Sequence, residues 1–178
     1  MNPLPIFVAQ FWWFILCWVL IAHFVIWPWA RRLGLRDRLS LFIAPEMFRV
    51  LGVGLLVPSL SPGMPSEFAV ATAIGDSLTA LLSVAAFIAL RRSSRPAKAP
   101  VWAATVVGVT DLLIAFPHAV KTGAIAHMAA QWFVPIFAGP IMVVAHFCCL
   151  ITLIQEWRTP LLPAAAPSGS ISRISPLG

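Results

Sequence analysis

The chain has 178 residues, of which 60% are hydrophobic and only 10% charged, against roughly 45–50% and about 25% in soluble domains. So much apolar surface cannot be hidden in one aqueous core of this length, which excludes an ordinary soluble domain and makes a lipid bilayer the expected solvent. The net charge is +6 and the pI about 10.7, yet the basic residues stand in short segments between apolar runs, a placement that reads as membrane topology and not as a nucleic-acid surface.

Residues 6–29 form an almost unbroken apolar run, long enough to cross roughly 30 Å of hydrocarbon. No Lys or Arg precedes it, and Arg31 and Arg32 follow in place of a small-residue cleavage site. It therefore reads as an uncleaved first helix. Arg31, Arg32, Arg36 and Arg38 make the first basic segment. A second helix is expected over residues 39–57, with two alternatives for its start. Either Pro45 lies inside its first turns, or residues 39–44 lie along the interface and Pro45 is the first helical residue, a position that proline favours. A Pro/Ser/Gly-rich connection without Lys or Arg, residues 58–65, ends it.

Third and fourth helices are expected over residues 67–90 and 101–118, joined by a basic segment with Arg91, Arg92, Arg95 and Lys98. A fifth is expected over residues 127–154, bent by Pro135 and Pro140. The tail, residues 158–178, is rich in Pro, Ala and Ser and is expected to be disordered, having nothing to bury. Cys17, Cys148 and Cys149 lie in apolar runs without metal-type spacing and read as packing residues. The predicted fold class is thus all-α, an integral membrane bundle of five transmembrane helices.

Ten of the twelve Lys/Arg fall after the first, third and fifth helices, which predicts an external N-terminus and a cytoplasmic C-terminus. The tryptophans agree: Trp27, Trp29, Trp102 and Trp157 would mark the inner edge, and Trp12, Trp13 and Trp132 the outer.

Two aspartates interrupt the third and fourth helices near their middles. At 1.5 Å per residue, Asp76 lies roughly 14 Å from the outer end and Asp111 roughly 15 Å from the inner end, so both sit near the midplane. Thr72, Asp76, Thr79 and Ser83 share one helical face, and Ala104, Gly108, Asp111, Ala115 and His118 another. Adjacent helices would bring the two stripes together. His146 on the fifth helix reaches a similar level, on a stripe with Gln131, Pro135, Met142 and Cys149. Arg49 is either level with the aspartates or close enough to the surface to snorkel, depending on where the second helix starts. At depth its permanent charge requires a carboxylate: Asp76, Asp111 or Glu46, which stands three residues earlier on its own face. One arginine offsets one aspartate. The other would hold a proton or be balanced by a charged His146.

Arg49, Asp76, Asp111, His146 and Glu46 are therefore the candidate site, for a proton or a small polar solute. No catalytic residue is assigned, since no phosphate loop, nucleophile elbow or HExxH motif occurs. His118, Lys121 and His127 cluster at the outer end, where the two histidines are the only metal candidates. No cofactor is required, although His23 and His146 are a candidate pair for a b-type haem. The expected partner is the lipid bilayer, with a membrane partner or second copy as a further expectation from the aromatic load of residues 11–18.

Phe48-Arg49-Val50-Leu51-Gly52, Pro65 with Phe68-Ala69, Gly75-Asp76, Gly108 with Asp111-Leu112, and Pro140 with His146 resemble a group of small, uncharacterised bacterial multi-pass membrane proteins. The resemblance spans about residues 48–150, and Ala104 and Thr105 stand where that group suggests an asparagine. It implies a protein of a bacterial cytoplasmic membrane and brings no activity or ligand. The functional expectation is a small transporter-like or sensing protein. The alternatives are a haem-based electron carrier and a non-catalytic partner whose polar cluster is purely structural.

Overall fold

A computed structural model describes residues 2–92, 97–159 and 161. Most of the tail expected to be disordered, and Arg95 of the second basic segment, lie outside the described residues. Five helices are long and apolar enough to cross a membrane: α1 (Leu4–Ala30), α2 (Leu35–Leu56), α3 (Ser66–Arg91), α4 (Lys98–Thr122) and α5 (Ala129–Gln155). No strand occurs among the described residues. Helix α3 is central, packed along the second half of α2 and along α4, while α1 lies chiefly against α5.

Helix α2 departs most from expectation. Neither Leu39 nor Pro45 starts it. An α-helical part, Leu35–Ile43, follows Gly34 and gives way at Ala44 to a 3-10 helix, Ala44–Leu56, with Pro45 in its first turn. Proline lacks the N–H of an α-helical bond and its ring clashes with the carbonyl four residues back, so the α-helix stops there. A 3-10 run of this length is uncommon. Its three residues per turn stack Glu46, Arg49, Gly52 and Leu55 in one line, and these four are its buried residues. In an α-helix every third residue drifts by about 60°, so Glu46 and Leu55 would face opposite ways.

Helices α1 and α5 also change pitch. A π-helical segment, Ala22–Ile26, interrupts α1 just before Pro28. Helix α5 opens with a 3-10 turn, Ala129–Trp132, passes through a π-helical segment, Val134–Ala138, and becomes α-helical over Gly139–Gln155. The bends expected at Pro135 and Pro140 take this form, since each proline sits in the first turn of a new segment.

The interior is layered. At one end an apolar core joins Leu39, Phe42, Ile43, Ala86, Leu90 and Val101 with Cys149 and Leu153. At the other, Phe7, Leu55, Phe68, Ala119, Ile125 and Ile136 make a second core. Between them along every helix from α2 to α5 lie the polar residues Glu46, Arg49, Asp76, Asp111 and His146. Ion pairs close the first end, Arg38 with Glu156 at 3.4 Å and Arg91 with Asp37 at 2.8 Å. Lys98 Nζ donates to the carbonyls of Glu156, Trp157 and Thr159, just beyond the end of α5. Helix α1 is the outlier: Phe7 is the only buried residue of its Leu4–Ile21 part.

Close approach of α3 to its neighbours depends on small side chains such as Ala86, which is 0% exposed. Ala86→Leu should overpack the first core and cost about 1–3 kcal/mol. The exposed Leu81→Ala should stay within about 0.5 kcal/mol. Thermal unfolding midpoints in one detergent distinguish the two, and equal midpoints would contradict this packing.

Candidate functional site

Arg49 points from the 3-10 line of α2 into the middle of the bundle and is 4% exposed. Its Nε donates to Asp76 Oδ1 at 2.8 Å, its Nη1 to the Gly108 carbonyl at 3.0 Å, and its Nη2 to Asp111 Oδ2. The planar fork of a guanidinium suits such a task, because its donors diverge in fixed directions and its charge persists at any accessible pH. One side chain of α2 therefore ties α3 and α4 together.

Glu46 does not pair with Arg49, its neighbour on the same line. It turns to His146 on α5, whose Nε2 lies 2.8 Å from Glu46 Oε2. Both residues are 0% exposed. The same Nε2 is 3.5 Å from Arg49 Nη1, so the imidazole sits between a carboxylate and a guanidinium. The Glu46–His146 contact is an ion-pair contact by distance and not an aligned hydrogen bond, since Glu46 Oε1, Glu46 Oε2 and His146 Nδ1 all have no hydrogen-bond partner. A single proton on the Glu46–His146 pair can be written as carboxylate with imidazolium or as acid with imidazole. Either form leaves the pair neutral, and Arg49 with both aspartates ionised then carries one surplus negative charge.

Three glycines make room for these side chains. A Cβ on Gly52 would collide with the Asp76 carboxylate, one on Gly75 with Asp111, and one on Gly108 with the His146 ring and Thr79. Each polar side chain thus enters the helix before its own: α3 enters α2, α4 enters α3, and α5 enters α4. Gly54 does the same for Gln131 at the start of α5.

A cavity of about 360 Å³ adjoins the cluster. Arg49, Asp76, His146, Thr72 and Gln131 supply its polar part, and aromatic residues of α1, α2, α3 and α4, among them Phe7, Phe11, Phe48, Phe68 and Phe116, line much of the rest. The side chains of Asp76 and Asp111 remain 14% and 16% exposed, in contrast to Glu46 and His146. Thr72 Oγ1 and Gln131 Oε1 are buried without a hydrogen-bond partner.

The structure brings Arg49, Asp76, Asp111, His146 and Glu46 together, and Arg49 does not snorkel. With α2 starting at Leu35, Arg49 lies about 24 Å along it, against about 22 Å for Asp76 measured from Arg91. The other sequence candidates stand apart. His118 lies edge-on to Phe68, with ring centroids 5.6 Å apart, and His127 is exposed beside Gly63. His23 is exposed on α1 and packs against Phe24, whereas His146 is enclosed with Glu46. Among the described residues, no three His, Cys, Asp or Glu side chains are grouped to hold a metal ion. Sequence reasoning missed the glycine sockets and the Gly108 carbonyl. The three-residue spacing of Glu46, Arg49 and Gly52 was the available signal, and it becomes legible only once the helix is known to be 3-10.

The chain belongs to the family described as Domain of unknown function (DUF8737), whose profile matches residues 6–154. The match fits an uncharacterised family and covers all four helices of the cluster. No curated protein and no solved structure matches the chain.

The sockets give a direct test. Gly52→Ala, Gly75→Ala and Gly108→Ala should each lower stability by about 1–3 kcal/mol, the usual cost of forcing volume into a packed site. Gly34 has nothing within 4 Å of its position and a negative φ, so Gly34→Ala should be neutral or stabilising by up to about 1 kcal/mol. Unfolding midpoints of the four variants check the order, and tolerance at all three sockets would refute it.

Proposed function

We propose that this chain is a multi-pass protein of a bacterial cytoplasmic membrane, with its N-terminus outside and its C-terminus in the cytoplasm, and that its central cluster holds an exchangeable proton. It would act as a small transporter-like or sensing protein. Orientation rests on the distribution of Lys and Arg, which concentrate at the end where α1, α3 and α5 finish. The observation that carries the proton reading is the charge balance. Three carboxylates face one guanidinium and one imidazole in a single set of contacts. Inside an apolar bundle an uncompensated charge is costly, so the cluster favours taking up one proton beyond the one on the Glu46–His146 pair.

The division of burial suggests which groups exchange. Glu46 and His146 have no exposed surface, although His146 borders the cavity, whereas both aspartates retain some exposure and Asp76 lines the cavity. Asp76 and Asp111 would be the proton acceptors, Arg49 the fixed charge that holds both in place, and His146 an auxiliary group that sets the charge around Arg49. Arg49 is a positioning residue in this scheme: it binds both acceptors and exchanges nothing itself.

Asp76→Asn and Asp111→Asn keep the shape of the side chain and remove the exchangeable proton. Both variants should insert and accumulate like the parent. Infrared difference spectra of the parent between acidic and neutral pH should contain a protonated-carboxyl band that one of the two substitutions removes. A parent without such a band would make the cluster a static lock. So would a pair of variants that accumulate only when Arg49 is neutralised as well. For orientation, green fluorescent protein fused at the C-terminus should fluoresce, and alkaline phosphatase fused there should be inactive; the reverse result would invert the topology.

A further inference from the structure

The polar part of the cavity is unevenly equipped. The Nε, Nη1 and Nη2 of Arg49 are all engaged within the cluster. Of what remains, Asp76 and Gln131 offer acceptors, and His146 offers an unpartnered Nδ1. Asp76 spends Oδ1 on Arg49, and Gln131, 8% exposed, has an unpartnered Oε1. Thr72 adds a hydroxyl that is also unpartnered. These three residues line the same cavity, next to a cluster that carries a surplus negative charge when its aspartates are ionised. The acceptors of Asp76 and Gln131 favour a guest that donates hydrogen bonds, and the surplus negative charge favours one that is positively charged.

The remainder of the cavity specifies the body of that guest. Aromatic faces attract a cation as well as hydrocarbon, and a volume of about 360 Å³ lies in the lower part of the roughly 300–1,000 Å³ range of small-molecule sites. Phe48, Leu113 and Phe147, which belong to the lining, are 62%, 71% and 55% exposed. They form an apolar rim on the sides of α2, α4 and α5, where hydrocarbon would lie in a membrane.

We propose that this cavity binds a lipophilic ammonium ion, with its head on Asp76, Thr72 and Gln131 and its apolar body between the aromatic side chains of α1 and α4. The inference rests on the proton reading above and extends it, because cation and proton become alternatives. When the ammonium ion binds, the proton on the aspartates leaves for bulk water, the cluster becomes one unit more negative, and the combined charge of cluster and guest is unchanged. The charged and titratable groups around Asp76 are Arg49 and Glu46 from α2, Asp111 from α4 and His146 from α5. Helix α1 lines the cavity with Phe7, Phe11 and Trp12 and adds no titratable group there. Binding should therefore weaken as pH falls, since protons compete for the same carboxylate.

Three probes with one skeleton test this: 4-phenylbutylamine, 4-phenylbutanol and 4-phenylbutyrate, titrated calorimetrically into the detergent-solubilised full chain. The amine should bind at least about tenfold more tightly than the alcohol, and measurements in buffers of different ionisation enthalpy should report release of about one proton per amine. Asp76→Asn should erase the preference for the amine while leaving the alcohol bound. Thr72→Val, which lies outside the Arg49 contacts, should weaken the amine by about two- to tenfold and guards against misfolding of the aspartate variant. Equal affinity for amine and alcohol, or tighter binding of the butyrate, would overturn the inference. So would native mass spectrometry showing a co-purified phospholipid that the amine does not displace. If the amine fails to bind while the infrared carboxyl band persists, this inference alone is lost. Amine binding without proton release would keep the cation site and reject the proton reading.

Discussion

The bundle is organised by one guanidinium. Arg49 reaches from α2 to the carboxylates of α3 and α4 and to a backbone carbonyl of α4. Burying such a group in an apolar interior is costly unless every donor finds a partner. The two aspartates, far from being separate anomalies, are the condition for Arg49 to be there. The same requirement explains the layered interior, with apolar cores at both ends and the charged layer enclosed between them.

Placing that layer demanded unusual backbone. An α-helix cannot hold Glu46, Arg49, Gly52 and Leu55 in one buried line, and the 3-10 helix that follows Pro45 can. Once the line exists, Glu46 reaches α5, Arg49 reaches α3 and α4, and Gly52 leaves space for the Asp76 carboxylate. The glycines on successive helices then work as sockets, each receiving a side chain from the helix after it. Helices joined this way are registered by volume as well as by charge, because a shift of one turn would both break the contacts of Arg49 and drive a carboxylate into a helix backbone.

Helix α1 plays a different part. It contributes aromatic side chains to the cavity and none of the cluster, and over Leu4–Ile21 it buries only Phe7. Helices α2 to α5 hold one another through polar contacts that tolerate little displacement, whereas α1 is held by apolar and ring contacts such as Phe11 with Phe116 and Phe7 with Trp132, and by a hydrogen bond outside the charged layer, from Trp132 Nε1 to Gln10 Oε1. Such contacts are individually weak and adaptable. One wall of the cavity is thus supplied by the element least bound to the charged layer.

Much of this protein is written in local composition. Five apolar runs of spanning length, basic residues between them, and carboxylates stranded mid-run are properties of short windows, so the sequence by itself determined the helices, the level of Asp76 and Asp111, and the candidacy of Arg49 and His146. It left the start of α2 undecided, because Pro45 is compatible with a helix beginning before or after it, and it offered Glu46 to Arg49 by proximity along the chain. Only the tertiary structure decided these points. The 3-10 pitch of Ala44–Leu56 depends on what each face must meet, and Glu46 lies against His146 because α5 comes within reach there. The cavity and the unpartnered atoms of Thr72 and Gln131 belong to no segment at all. They arise where helices distant in the chain leave a gap, and a gap has no signature in the order of residues.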